Sequence, residues 1–252
     1  MMLNQEYGIM AEVETSHWWY KCLHYAVLRS ITKHFANKDI TIIDACCGTG
    51  GLMLFLKDKG YDNVIGFDLS EIAVAVCKSR ELNVFQGNLS EISNYCPHNL
   101  ADVVICNDAY YFLNYEEQQT TAGDIHQILA KGGLLIANFP AFRAFSGIHD
   151  LSVGITSRFN KKKVRAIFGR LNFKFVAQMY WPFFLSPIIW VSRFKQRLMM
   201  RLRLLDGVEP KSDVGNVNPV ISSILLLLCK TENKLLTNKP FGSSLFLVLK
   251  KY

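Results

Sequence analysis

The chain has 252 residues, half of them apolar and 19% charged, which excludes a mainly disordered segment and allows one α/β domain with a sizeable core. Its net charge of +7 is uneven, because Leu151 to Leu205 holds twelve of the twenty-eight Lys and Arg and none of the twenty-one Asp and Glu. A basic third on an otherwise acidic chain points to a surface that meets anions, and it argues against a uniformly charged solvated protein.

In chain order, residues 1–37 read as an N-terminal helical extension, rich in aromatic residues at His17-Trp18-Trp19-Tyr20. Alternating strands and helices follow, the signature of stacked βαβ units on a parallel sheet. The predicted strands are Ile40–Ile43, Val64–Phe67, Asn83–Phe85, Asp102–Cys106 and Gly133–Asn138. The predicted helices between them are Gly51–Lys59, Glu71–Arg80 and Tyr115–Leu129, the last closed by Lys131-Gly132-Gly133 as a C-cap. A helix at Lys161–Leu171 leads to a strand at Phe173–Tyr180, and Ser243–Lys250 reads as a closing strand. Residues 183–242 separate these last two strands, too many for a hairpin loop, so they are expected to be a helical insertion with its own structure. The expected division is therefore an extension over 1–37, a ligand-binding domain over 38–182 and 243–252, and an insertion over 183–242 that serves as a lid or a membrane-contact element.

The stretch Thr41-Ile42-Ile43-Asp44-Ala45-Cys46-Cys47-Gly48-Thr49-Gly50-Gly51 combines a β-branched strand, a carboxylate at its end, a small-residue turn and a helix start. Such a loop holds a nucleotide-like ligand against free backbone N–H groups. It lacks the G-x-G-x-x-G and P-loop patterns, and Asp44 would repel a pyrophosphate while accepting bonds from an ammonium group. The ligand read from it is cationic or zwitterionic. Asp68, at the end of the second strand, stands where an acid bonds ribose hydroxyls, whereas Ser70 is the natural N-cap of the next helix.

Asp44 through Gly50 resembles the D-x-G-x-G-T-G motif of class I S-adenosylmethionine-dependent methyltransferases, with Cys46 in place of the first glycine. Cysteine disfavours a positive φ, so a left-handed backbone there carries a cost. The resemblance implies a Rossmann-like seven-stranded sheet with an antiparallel final pair and S-adenosylmethionine as cofactor. It assigns cofactor contacts to Asp44, Ala45, Cys46, Gly48, Gly50, Asp68, Leu69, Asn88, Leu89 and Asn107. Asn88 stands where the family commonly has Asp near the adenine amine. Glu6-Tyr7, Glu12 and His17-Trp18-Trp19-Tyr20 resemble the opening of a subgroup associated with bacterial cell-surface glycan or lipid pathways, and Pro240-Phe241-Gly242-Ser243-Ser244-Leu245 resembles its ending. Lys21 or His24 stands in for the arginines that this subgroup carries after the aromatic motif. His149-Asp150 with Arg158-Phe159 resembles its H-D…R-[YF] segment, which makes His149 the candidate general base and Asp150 its orienting partner.

The seven cysteines show no zinc spacing, so no metal is expected, and the extension, with Glu6, Glu12 and Glu14, does not read as a signal peptide. A cytoplasmic location is expected, with the protein peripheral at the inner membrane face. Trp181-Pro182-Phe183-Phe184 through Trp190, followed by Arg193, Lys195, Arg197, Arg201 and Arg203, suits an interfacial element on an anionic membrane, with a lid or an oligomer contact as the alternative. Nucleic acid ranks third as a partner, and Ile224–Leu228 is expected in the core. The expected function is methyl transfer from S-adenosylmethionine to a small-molecule acceptor, with a lipid-linked or cell-surface glycan intermediate as the finer reading. The contrasting class is a non-catalytic, membrane-associated binding protein that keeps the fold. The acceptor atom and the oligomeric state are left open.

Overall fold

The computed structural model describes residues 2–204, 215–236 and 238–252. Helices α1 (Asn4–Val13) and α2 (Trp18–His34) lead the chain to β1 (Ile42–Ala45), α3 (Gly51–Asp58), β2 (Val64–Asp68), α4 (Glu71–Ser79) and β3 (Val84–Gln86). A short α5 (Ile92–Tyr95), then β4 (Ala101–Asn107), α6 (Tyr115–Ile128) and β5 (Leu129–Pro140) complete the parallel part. The chain continues through α7 (Ile148–Val153), α8 (Lys161–Phe168), β6 (Phe173–Trp181), α9 (Ser186–Arg201), α10 (Pro219–Leu235) and β7 (Ser244–Lys251).

The seven strands form one sheet in the order β3-β2-β1-β4-β5-β7-β6, with β1 to β5 parallel and β7 antiparallel to both of its neighbours. This is a Rossmann-like sheet, as expected. The strand order reverses between β1 and β4, and ligands of open α/β sheets bind beyond the carboxyl ends at that crevice. Both faces are covered, so alternate residues of one strand enter different cores. Ile43, Ala45, Val104 and Cys106 pack with α6 and α8 on one face. Ile42, Val103 and Ile105 pack on the other with Val27 and Ile31 of α2, Leu56 of α3 and Cys229 of α10. The extension and the insertion thus share one apolar cluster with the sheet, and α2 packs against α10 directly. Residues 205–214 and 237 of the insertion, including Leu205 at the end of the basic stretch, lie outside the described residues.

Two expectations are corrected here. Lys131-Gly132-Gly133 is no helix cap: α6 stops at Ile128, Leu129 is already extended, and Gly132 with φ +82° lies inside β5, whose pairing with β4 shifts between Ala101 and Val103. The glycines absorb a sheet irregularity rather than terminate a helix. Ile224–Leu228 is not core. Leu225 and Leu226 lean on the apolar cluster, while Ile224, Leu227 and Leu228 point away from it and are exposed.

A buried ion pair fastens the insertion to the sheet. Glu232 of α10 accepts from the N–H groups of Phe183 (2.8 and 2.9 Å to its two oxygens) and Phe184 (2.9 Å), just after β6. Lys239, ahead of β7, donates to the same carboxylate at 2.9 Å and also to Asn233 Oδ1, and both members of the pair are fully buried. Removing one partner of such a pair strands the other's charge. Glu232→Ala is expected to lower stability by about 3–5 kcal/mol in urea unfolding, and Glu232→Ala/Lys239→Met should lose less than Glu232→Ala does alone.

Candidate active site

At the end of β1 the loop turns through three left-handed residues, Cys46 (φ +60°), Gly48 (φ +56°) and Gly50 (φ +88°). Gly50 caps α3, and a Cβ there would lie 2.5 Å from Leu82 Cδ1 and 2.9 Å from Cys77 Sγ, so neither the backbone nor the space admits a side chain. Cys46 holds the strained conformation with a side chain present, at a cost on the order of 1 kcal/mol or more. The turn brings Asp44 to face a cavity of about 400 Å³, which Cys46, Gly48, Asp68, Asn107 and His149 also line.

Asp44 is almost completely buried, and its Oδ2 has no hydrogen-bond partner in the protein; neither does the buried Oδ1 of Asn107. Burial, and then the charges of Asp68 and Glu14, push the Asp44 carboxyl up to about 8. Two unpartnered acceptors in one cavity call for a ligand with N–H donors and positive charge. Asp68 is better served: its Oδ2 accepts from Gly48 N–H and its Oδ1 from Ser70 N–H, both at 2.9 Å. Burial raises its pKa, and the two N–H bonds oppose the rise. A carboxylate has about four acceptor sites, so Asp68 retains capacity for ligand hydroxyls.

Other predicted contacts fall outside the cavity lining. Ala45 and Leu89 are core residues, Leu69 is exposed, and Gly50 acts through the turn. Asn88 caps a 3-10 turn by accepting from Ser90 N–H at 3.2 Å, which occupies one of the two acceptor sites on the oxygen expected to read adenine. Ser70, in turn, caps α4.

The extension closes the cavity from the other side. Glu6, Tyr7 and Met10 from α1, its C-cap Glu14, and Trp18, Trp19, Tyr20 and His24 from α2 all line it. Glu14 Oε2 accepts from Gly51 N–H at 2.9 Å and Oε1 from the Thr49 hydroxyl at 2.7 Å, while Arg80 of the α4 C-cap binds Glu14 and donates to the carbonyls of Thr49 (2.7 Å) and Ala11 (2.8 Å). A Cβ on Gly51 would come within 2.5 Å of this carboxylate. Sequence reading missed Glu14 and weighed Glu12, which is exposed. The available signal was register, since Glu14 lies three residues before His17 and ends α1 on its buried side. His17 caps α2 by accepting from Trp19 N–H, and Trp19 stacks on Trp181 at 5.4 Å. Burial lowers His24 to about 4, so it is neutral, and Lys21 is not part of the lining. Neither supplies the expected cation; the arginines that line the cavity are Arg158 and Arg193.

Near the end of β4, Asp108 (φ +51°) also lines the cavity. Burial raises it to about 6, against the Asn138 bond and the Arg158 charge. Asn138 Nδ2 donates to Asp108 Oδ2 at 2.8 Å, and Trp181 Nε1 donates to Asn138 Oδ1 at 2.9 Å. Asp108 was likewise passed over in the sequence, because nothing local marks the long-range Asn138–Trp181 support. His149 lies on α7 in the lining. Asp150 does not have the geometry expected of its orienting partner: its oxygens accept from Arg158 Nε (2.8 Å) and Nη2 (2.6 Å), and Arg158 also donates to Ala141 O at 2.8 Å. The planar guanidinium matches both carboxylate oxygens at once, which an imidazole cannot do.

Residues 42–133 match the family model of a methyltransferase domain. This segment is similar to methyltransferase domains. A protein arginine N-methyltransferase 1 of Saccharomyces cerevisiae is 34% identical over 108 residues, covering 39% of this chain and 30% of that protein. The chain thus spans under a third of the length of the first curated relatives it matches. The fold is shared with a chain from the complex between the Haloferax volcanii Trm112 methyltransferase activator and the putative methyltransferase (15% identity, TM-score 0.61, covering 98% of this chain and 94% of that one). It is also shared with an S-adenosylmethionine-dependent methyltransferase from Archaeoglobus fulgidus (17% identity, TM-score 0.57, covering 90% of this chain and 92% of that one). S-adenosylmethionine is the cofactor of such domains, and a cationic ammonium fits the two unpartnered acceptors at Asp44 and Asn107.

Because an ammonium bonds the ionised carboxylate, ligand binding should expel a proton from Asp44 below its pKa of about 8. S-adenosylhomocysteine affinity is expected to rise with pH by up to about tenfold per unit between pH 6 and 8 and then to level off. Calorimetry in buffers of different ionisation heat should register the released proton, and Asp44→Asn should abolish that release. The ligand-free protein should lose stability over the same window, since the folded state holds this proton more tightly than the unfolded chain does.

Proposed function

We propose that the chain is an S-adenosylmethionine-dependent methyltransferase acting on a small-molecule acceptor. The observation that carries this reading is the set of Asp44, Asp68 and Asn107 at the ends of β1, β2 and β4, with unpartnered oxygens on the first and the last. Asp44 and Asn107 would hold the ammonium group, Asp68 would accept the ribose hydroxyls, and the backbone at Gly48 would border the ligand. When bound, the cofactor supplies an electrophilic methyl group on a sulfonium. The protein's part is to align the acceptor, exclude water and take up a proton where the acceptor carries one. The aromatic wall of Trp18, Trp19, Tyr20 and Tyr111 would dry the cavity, and His149, in the same lining, would take that proton.

A dinucleotide reading is disfavoured by one observation. The N-terminus of α3, where a pyrophosphate would sit, is already capped by the Glu14 carboxylate. The resemblance at both ends of the chain supports a lipid-linked or cell-surface glycan intermediate as acceptor, and cysteine usage supports a cytoplasmic location. A non-catalytic binding protein with the same fold would bind the cofactor without turning over any acceptor.

Calorimetry is expected to show S-adenosylmethionine and S-adenosylhomocysteine binding that Asp68→Ala weakens by roughly 1–3 kcal/mol. NAD binding with no response to either sulfur compound contradicts the reading. His149→Ala should lower turnover about a hundredfold while leaving cofactor affinity unchanged. Unchanged turnover at saturating acceptor would return His149 to a role in shaping the loop.

A further inference from the structure

Helices α9 and α10 carry outward apolar stripes of the kind that helices ordinarily bury. Along α9 and through its C-cap Leu202, the residues Trp190, Val191, Phe194, Leu198 and Leu202 are 44–59% exposed, and at 100° per residue they fall within one arc of about 120°. On α10, Val220, Ile221, Ile224, Leu227 and Leu235 are 52–67% exposed on an arc of similar width. The opposite faces are already occupied. Ile189, Leu225, Leu226 and Cys229 join the apolar cluster under the sheet, and Ser222 and Glu232 are buried. The stripes are therefore additional to the contacts that fold the protein, and each is a row of apolar residues along one helix side rather than scattered single ones.

Charge identifies what covers them. Lys195, Arg201, Lys230 and Lys234 are exposed on the two helices. The only acid within either helix is Glu232, which is fully buried and paired with Lys239. A second copy of the chain would bring these cations together with no exposed carboxylate on either helix to pair them. Trp190 and Phe194 stack at 5.6 Å on the exposed side of α9, and aromatic rings beside cations suit the headgroup level of a bilayer. Among the described residues, no helix is long and apolar enough to cross a membrane.

We infer that the outer faces of α9 and α10 seat the protein on an anionic bilayer surface, apolar side chains entering the interface and Lys and Arg meeting the lipid headgroups. The same α9 contributes Ile189 and Arg193 to the cavity lining, so this seating sets the cavity wall beside the lipid surface. Its consequence for the acceptor, a lipid-borne group, rests on the methyltransferase reading; the seating itself does not.

The test is co-sedimentation of the full chain with vesicles of phosphatidylcholine alone or mixed with phosphatidylglycerol, at low and high salt. Partition onto anionic vesicles at low salt is expected to exceed that onto neutral ones by roughly tenfold and to fall several-fold, without vanishing, at high salt. Phe194→Ser/Leu198→Ser and Ile224→Ser/Leu227→Ser should each weaken partition roughly tenfold. Lys195→Glu/Arg201→Glu should remove the preference for anionic lipid. All three variants should keep wild-type affinity for S-adenosylhomocysteine, which certifies their fold. A protein that stays in the supernatant with anionic vesicles at low salt overturns the inference, as does vesicle binding that the variants leave intact. A concentration-dependent dimer that the serine variants dissociate would assign the stripes to self-association and overturn it as well. Failure of the wild-type protein to bind S-adenosylhomocysteine would count against the methyltransferase reading and leave the vesicle result standing.

Discussion

The carboxylate of Glu14 sits at the start of α3, where helix N–H groups have no partners of their own and the helix dipole is positive. It takes Gly51 N–H and the Thr49 hydroxyl, and Arg80 ties it to the end of α4. One side chain from outside the sheet thus joins the extension, the ligand loop and the second βα unit. Glu6, Tyr7 and Met10 stand one and two turns back along the same helix, so their presence in the cavity wall follows from where Glu14 is held. Gly51 is the complement of this arrangement, because any side chain there would occupy the carboxylate's position.

The clamp also shapes the electrostatics. Glu6, Glu14, Asp44, Asp68 and Asp108 all line one cavity, and the charges of Asp68 and Glu14 add to burial in raising Asp44. Tyr7 is pushed up to about 12 by burial, with the Asp68 charge adding to the rise, so it remains a neutral hydroxyl. A cationic guest relieves this accumulation of acid, whereas an anionic guest aggravates it. The selectivity belongs to the whole wall rather than to Asp44 alone.

Much of this was legible in the sequence because strand ends are marked locally. Asp44 and Asp68 each close a β-branched or apolar run, and the strand and helix alternation gives a parallel sheet whose crevice is known from topology. Cys46 shows the limit of a composition argument: its side chain disfavours the left-handed turn, yet φ is +60° there because Ala45 is held in β1 and Cys47 N–H donates to Phe67 O on β2 at 3.0 Å. What stayed hidden depends on partners distant in the chain. Nothing near Asp150 announces that Arg158 takes both its oxygens, and nothing near Asn138 announces Trp181 and Asp108. Lys131-Gly132-Gly133 looked like a helix end since the signal for a cap and for a sheet irregularity is the same pair of glycines. Ile224–Leu228 looked like core because an apolar run carries no information about which of its sides faces the sheet.

The placement of β7 has a consequence for how the molecule assembles. Residues 244–251 fill an interior position of the sheet, between β5 and β6, and every residue of the strand from Ser244 to Leu249 is buried. Until those residues leave the ribosome, β5 and β6 each expose an unpaired edge, and both edges are apolar. Trp181, at the end of β6, reaches its Asn138 partner on β5 across that gap. The Asn138–Trp181 support of Asp108 therefore waits on long-range pairing with a strand that follows both of its neighbours in the chain, which is slow by its topology and leaves the chain open to misassociation in the interval.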